Sequence, residues 1–232
     1  MYLDPSCGAE SLVLQMGALK AGVSLVAFHE KDSKDALDHA LRGTNAKGLV
    51  FSPGTQIGEN TTRKTFLHEL MPELEQMYPG DELNLSNYPH LQHIVQTGFS
   101  KMRGVNMFKD VAVYANPSLS NYSIPVNSSD ALSHTYLKDG REVRTLTSGE
   151  FVNASEDLWN RHLSHVDDHP LFFSSDLEKP LGLASFLACS SHLKKLFLPG
   201  TFNASKMIKS IPRQSSSSLV CDEDLLTLDV PA

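Results

Sequence analysis

The chain is poor in the residues that declare a function outright. Its 232 residues include three cysteines, Cys7, Cys189 and Cys221. The number is odd, the spacings are long and no pair forms a CxxC. That excludes a disulfide framework and a zinc ribbon, and makes a reducing compartment the default. No apolar run approaches the ~18 residues of a membrane span. The longest runs, such as Leu196-Phe197-Leu198, are strand length, so no transmembrane segment is expected. The start, Met1-Tyr2-Leu3-Asp4-Pro5-Ser6, has neither the apolar core of a signal peptide nor the arginines of a transit peptide. Positive charge is scarce, with 20 Lys and Arg against 27 Asp and Glu, a net −7. It never gathers into a basic run, so nucleic acid is not an expected partner.

What is present reads as a globular protein. Hydrophobic residues make up 41% and charged residues 20%, enough to bury a sizeable core. Leu12, Val13, Met16 and Leu19 lie at helical spacing over 10–21, with Gly22 as the stop. Val23 to Phe28 is a short apolar strand. Ala36, Leu37, Ala40 and Leu41 repeat the helical period between a Ser33 cap and Gly43. Gly48 to Ser52 is a second strand. Thr62 to Met77 reads as a third helix kinked at Pro72, and His93 to Gln96 as a further strand. Asp110 to Tyr114 reads as extended, and 115–130, rich in Asn, Ser and Pro, as a connector. Beyond it, Thr135 to Val143 has the pattern of a hairpin turning at Lys138-Asp139-Gly140. Ser148 caps a helix over 149–165. A strand at Leu171 to Phe173, a helix at Leu181 to His192, a strand at Lys195 to Leu198, a helix at Ala204 to Ile211 and a strand at Leu219 to Cys221 complete the chain. Helices alternating with short, continuous apolar strands predict an α/β fold with a mainly parallel sheet.

The run Met16-Gly17-Ala18-Leu19-Lys20-Ala21-Gly22-Val23-Ser24-Leu25-Val26 resembles the helix-then-strand segment of acyl-CoA synthetases in the adenylate-forming (AMP-binding, ANL) superfamily. That family shows an "a-lKAGv-vvp" run there. A second block follows in the family's order, with Pro170-Leu171-Phe172-Phe173, then Gly182, then Leu198-Pro199-Gly200-Thr201-Phe202-Asn203-Ala204. The resemblance implies an incomplete ANL-type N-terminal domain, α/β, with a mainly parallel sheet flanked by helices. Residues 1–115 would be the first α/β subdomain, 116–130 a connector and 131–232 the second subdomain.

The departures from the family matter as much. Its phosphate loop reads close to YTSGTTGxPKG, with glycines that let backbone N–H groups approach phosphate and a lysine that adds charge. The matching place here reads His134-Thr135-Tyr136-Leu137-Lys138-Asp139-Gly140-Arg141-Glu142. One glycine remains, and Asp139 and Glu142 stand where phosphate would go. An anion at ~4 Å from another, at an effective dielectric of about 20, costs roughly 4 kcal/mol. Thr147-Ser148-Gly149 is followed by Glu150-Phe151, which suits a helix cap better than a phosphate cradle. Phe173 occupies a position that often lines the family's acyl pocket. The later Tyr-Gly-x-Thr-Glu motif, the ribose-binding Asp and the lid with its catalytic Lys do not occur. These departures imply a chain that is not an enzyme, with no catalytic, cofactor-binding or metal residues, no cofactor and no binding of ATP.

Other constellations are weak. His162, His165 and His169 share one face of a continuous helix, but Pro170 ends it, and a solvated helix end outweighs a metal site. Cys7 beside Gly8 has no evident histidine partner. Ser155 and Ser164 lack the GxSxG elbow. Glu30 and Asp32 read as solvent-facing. The apolar stretch Leu181 to Leu198 suits an acyl tunnel, yet more often such a stretch is core.

The functional expectation is a non-catalytic acyl-CoA synthetase-like protein acting as a structural or accessory subunit. Other protein subunits of a larger assembly would cover the sheet edges and apolar faces left bare. Kinship with fatty-acid enzymes implies a mitochondrial complex, with the cytoplasm as the alternative. Two other readings stand beside it. One is a fragment of a fatty-acid-activating, ATP-dependent acyl-CoA synthetase completed by another chain. The other is a catalytically dead binder of an acyl or CoA-type ligand.

Overall fold

Turn chemistry sets the first helix. The computed structural model describes residues 2–3, 9–27, 33–54, 62–98, 101–113, 133–138, 141–164, 171–173, 180–194, 196–197 and 218–220. After strand β1 (Tyr2–Leu3), helix α1 spans Ala9–Lys20. Gly22 follows at φ 70, and the Val23 N–H donates to the Ala18 carbonyl at 2.8 Å. That is a Schellman ending, which needs the left-handed conformation that glycine adopts without strain. The buried side of α1 carries Leu12 and Ala18 together with two polar residues. Gln15 Nε2 donates to Ser11 Oγ at 3.1 Å, so this pair satisfies itself away from water.

Strand β2 (Leu25–Ala27) leads to α2 (Lys34–Thr44), whose cap Ser33 accepts from the Ala36 N–H. The helix runs past Gly43 and stops at Asn45 with φ 49. Asparagine tolerates that conformation better than most residues, so it, not the earlier glycine, ends the helix. Strand β3 (Gly48–Phe51) follows. The expected single helix over 62–77 is two pieces, α3 (Arg63–Leu70) and a 3₁₀ turn (Pro72–Gln76). Pro72 has no N–H to donate and its ring collides with the carbonyl four residues back, so the helix breaks instead of kinking.

Strands β4 (His93–Gln96) and β5 (Asn106–Met107) come next. Residues expected to be extended near 110 form helix α4 (Phe108–Val113) instead. Val111 and Val113 are exposed there, so no buried sheet position rewards their β-branched shape, and Asp110 in the first turn suits the helix dipole. Strands β6 (Ser133–Lys138) and β7 (Arg141–Thr147) match the hairpin expected over Thr135 to Val143 and extend it at both ends. Residues 139 and 140 alone link them.

Among the described residues, one sheet holds seven strands in the order β5-β4-β3-β1-β2-β6-β7. The pairs from β5 through to β6 are all parallel. Tyr2 sits opposite Val26 on one side and Leu49 on the other, so β1 is central. The sheet is packed on both faces. Leu49 and Phe51 of β3 and Ile94 of β4 join a core with Leu37 and Leu41 of α2 and Leu67 of α3. Val50 points the other way and packs with Ala18 of α1 and Leu25 of β2. This is the expected α/β architecture of a mainly parallel sheet flanked by helices.

The chain divides into two compact units, Met1–Leu146 and Thr147–Ala232. The division falls after the hairpin, not within 116–130, because β6 pairs with β2 and so belongs to the first sheet. The second unit contains α5 (Ser148–Leu158), a π-helical turn (Trp159–Leu163), β8 (Leu171–Phe173), α6 (Pro180–Ser191), β9 (Leu196–Phe197) and β10 (Ser218–Val220). Among the described residues its strands run parallel, with β8 between β10 and β9. The helix expected over 204–211 lies outside the described residues.

Candidate functional site

The strand order marks the place where an open α/β sheet would receive a ligand. From β1 the chain moves to β2 on one side, then crosses back to β3 on the other. In open α/β sheets, ligands bind beyond the carboxyl ends of the strands where the order reverses. Here that is the end of β1 and β3, flanked by β4. The Thr97 N–H donates to the Phe51 carbonyl at 2.9 Å, and its hydroxyl donates to the same oxygen at 3.3 Å. Gln96, fully buried, accepts from the Met102 N–H at 3.0 Å and ties the following loop down. The Lys64 N–H donates to the Pro53 carbonyl at 3.2 Å. This bond holds the start of α3 against the end of β3.

Arg63 is at this same place and is fully buried. The first turn of α3 has no acidic residue and carries Arg63 and Lys64, against the preference of a helix N-terminus for negative charge. A cationic first turn beside the carboxyl ends of a parallel sheet favours an anion. Periodicity passes over Arg63, because an arginine at a helix start looks like surface. The signal that finds it is the missing first-turn acid.

One cluster of shifted ionisable groups lies between α2 and the loop ahead of β4. Tyr88 is buried and donates from its hydroxyl to Asp38 Oδ1. Arg42 Nε donates to the same oxygen at 2.8 Å, with its guanidinium carbon 5.1 Å from the Tyr88 ring centre. Burial pushes the Tyr88 hydroxyl well up, and Asp38 beside it adds to the rise. Burial opposes ionisation of Asp38, but the bonds from Tyr88 and Arg42 outweigh it and hold the carboxyl below its usual range. This cluster fastens the loop ahead of β4 to α2. Two open clefts border β4 and β5. One, of about 490 Å³, is bordered by Asp81, Glu82, Gln92, His93 and Asn106. The other, of about 280 Å³, is bordered by Met102, Val105, Met107 and Val111.

The places singled out in the sequence are not gathered into one site. Glu142 is exposed and accepts from the Thr145 hydroxyl at 2.8 Å, within the ribbon. Asp139 lies outside the described residues, as do Cys7, Glu30, Asp32, His165 and His169. Thr147, one residue earlier than the expected Ser148, caps α5. Its hydroxyl accepts from the Glu150 N–H, while the Glu150 carboxylate takes the Thr147 N–H at 2.8 Å. Its own carboxylate therefore fills the end of α5 in a capping box. His162 is exposed in the π-helical turn, so the one-face argument for the three histidines, which assumed an α-helix, does not carry over. Ser155 donates to the Phe151 carbonyl and Ser164 to that of Asn160, as helix serines commonly do. Phe173 is in β8. Leu183, Ala184, Ala188 and Cys189 of α6 are buried core.

No protein-family model and no curated protein sequence matches the chain. Solved structures do. A Brucella canis acyl-CoA synthetase superposes with a TM-score of 0.68 at 14% identity, over 96% of this chain and 37% of its own. A chain described as a long-chain-fatty-acid CoA ligase of Rhodopseudomonas palustris CGA009 gives 0.67 at 14%, over 94% and 48%. The fold is that of the acyl-CoA synthetases. The Bacillus subtilis O-succinylbenzoate-CoA synthetase, solved with AMP, gives 0.59 at 13%, over 97% and 49%. The chain spans less than half the length of each. This overturns the expectation of a chain that is not an enzyme. The structures named here that share its fold are CoA ligases and synthetases, and nothing among the described residues shows catalysis to be lost. The earlier inference matched the phosphate loop to 134–142 by residue pattern, and at such identity pattern alone does not fix which loop corresponds to which.

Proposed function

We propose that this chain forms part of an AMP-forming acyl-CoA ligase. In that reaction a fatty-acid carboxylate attacks the α-phosphorus of ATP, pyrophosphate leaves, and the CoA thiol then displaces AMP from the acyl adenylate. The observation that carries the reading is the superposition of nearly the whole chain on acyl-CoA synthetases at TM-scores near 0.67. The carboxyl edge of the first sheet, with Arg63 and Lys64 beside it, suits an anionic substrate. Protein outside these residues would complete the active site. The accompanying proposal is a role within a larger, mitochondrial assembly. The assembly draws support from the apolar residues Val13, Met16 and Val23, which face solvent; the compartment rests on the resemblance alone.

The test is acid-dependent exchange of labelled pyrophosphate into ATP. The protein is purified with everything that accompanies it in its source cells and offered fatty acids of graded length. Exchange that requires one of these acids supports the ligase reading. No exchange with any of them refutes it. Cell fractionation and co-purification at high salt test the assembly and its compartment.

A further inference from the structure

We propose that the smaller cleft beside β5 is a binding site for a free aliphatic α-amino acid. The cleft holds about 280 Å³. Clefts for drug-sized ligands run from ~300 to ~1,000 Å³, so the occupant here is small. The floor is apolar and firmly set. Met102, Val105 and Met107 border the cleft and are at most 5% exposed, and Met102 and Val105 belong to the main core. Methionine is unbranched and polarisable, so this floor adapts to aliphatic chains of differing shape. Among the described residues no aromatic side chain borders the cleft, which leaves a planar ring nothing to stack on.

Helix α4 supplies a wall that its own chain leaves open. Its six residues include none that is buried. Val111 borders the cleft, and it is apolar and 49% exposed. So short a helix is held by packing more than by its own backbone bonds. An aliphatic side chain in the cleft would cover Val111 and add that packing.

The rim carries a charge of each sign. Lys101 and Asp110 both border the cleft and are exposed. Neither forms an ion pair with a described residue. A ligand with a carboxylate alone would meet Lys101 but face Asp110 with the same sign. A simple amine has the converse mismatch with Lys101. An α-amino acid carries both charges on one carbon. Its carboxylate accepts from Lys101 and its ammonium donates to Asp110, both as charge-assisted hydrogen bonds. Asn106 is half-buried at the same cleft, and its amide can donate to one head group and accept from the other. Neither Arg63 nor Lys64 borders this cleft, so its ligand is additional to the anionic substrate of the ligase reading.

The test is a ligand-observed NMR titration of the whole chain with L-leucine, 4-methylpentanoate and 3-methylbutylamine. The two analogues keep the branched chain of leucine and lack its ammonium or its carboxylate. Leucine is expected to bind saturably, about fivefold or more tighter than either analogue. Lys101→Gln and Asp110→Asn change exposed side chains and leave the floor intact. Each should weaken leucine binding about fivefold. Asp110→Asn should also erase the preference over 4-methylpentanoate, and Lys101→Gln the preference over 3-methylbutylamine. Val113→Ser, on the same helix but outside the cleft, should bind leucine as wild type does. No saturable binding of leucine would overturn the proposal. Equal binding of 4-methylpentanoate would overturn it too, and make the cleft an acyl site. Leucine binding unmoved by both charge variants would overturn it by placing the ligand elsewhere.

Discussion

Gly104 tests whether the loop after β4 is held by packing or only by its backbone conformation. It adopts φ 67, and a Cβ there would lie 3.0 Å from the Leu74 carbonyl oxygen, 3.0 Å from Met77 Cβ and 3.1 Å from Leu74 Cδ2. The first of these is backbone of the 3₁₀ turn, and Leu74 is fully buried in the main core, so neither side gives way easily. Gly98 provides the control. It has φ 75, and nothing lies within 4 Å of its Cβ position. Alanine at either glycine pays the left-handed penalty, ~1–2 kcal/mol. Alanine in either also narrows the unfolded ensemble by a similar amount, so that term cancels in the comparison. Only Gly104→Ala adds overpacking, roughly 1–3 kcal/mol. Urea unfolding followed by far-ultraviolet circular dichroism measures both. The expected result is a midpoint for Gly104→Ala clearly below that of Gly98→Ala, with similar slopes. Equal midpoints would refute the claim that Leu74 and Met77 close on Gly104.

Removing the Tyr88 hydroxyl with Tyr88→Phe takes a bond from an ionised carboxylate and should cost about 1.5–3 kcal/mol in the same urea assay. Because Asp38 is held below its unfolded value of 3.8, its contribution is complete above that pH and is lost as pH falls through the lower folded value. A pH series of unfolding midpoints should therefore fall less steeply in acid for Asp38→Asn than for wild type. Thr147→Ala and Glu150→Ala should each lower thermal stability by ~1 kcal/mol. The double variant should cost less than the sum, since the two side chains cap reciprocally. Burial pushes the Cys189 thiol up to about 11. In a Cys7→Ser/Cys221→Ser background, alkylation at neutral pH should be slow in the folded chain and fast in denaturant. Rapid labelling of the folded chain would contradict the burial of α6.

Residue pattern was informative wherever an element carries its own signal. The Ser33 cap, the Gly22 stop, β4 at His93–Gln96 and the ribbon at 133–147 all follow from local chemistry, because caps, glycines and apolar runs act within a few residues. The failures share a different cause. β1 and β5 are two residues each, too short for any period to register, and they exist only because neighbouring strands accept their hydrogen bonds. Helix α4 defeated its β-branched composition because no sheet position was available to bury it. Arg63 escaped notice because burial, not residue type, is what makes it unusual.

For this protein the sequence by itself determined the α/β alternation, the Ser33 cap, the Gly22 stop and the resemblance carried by Met16 to Val26, since each rests on short-range spacing and conformational preference. Only the tertiary structure decided that Tyr2–Leu3 is the central strand, that the ribbon joins the first sheet, and that Arg63 is buried at the carboxyl edge. These depend on which distant segments pair. Pairing is chosen by the core as a whole, where Leu49 and Phe51 face one layer of helices and Val50 the other.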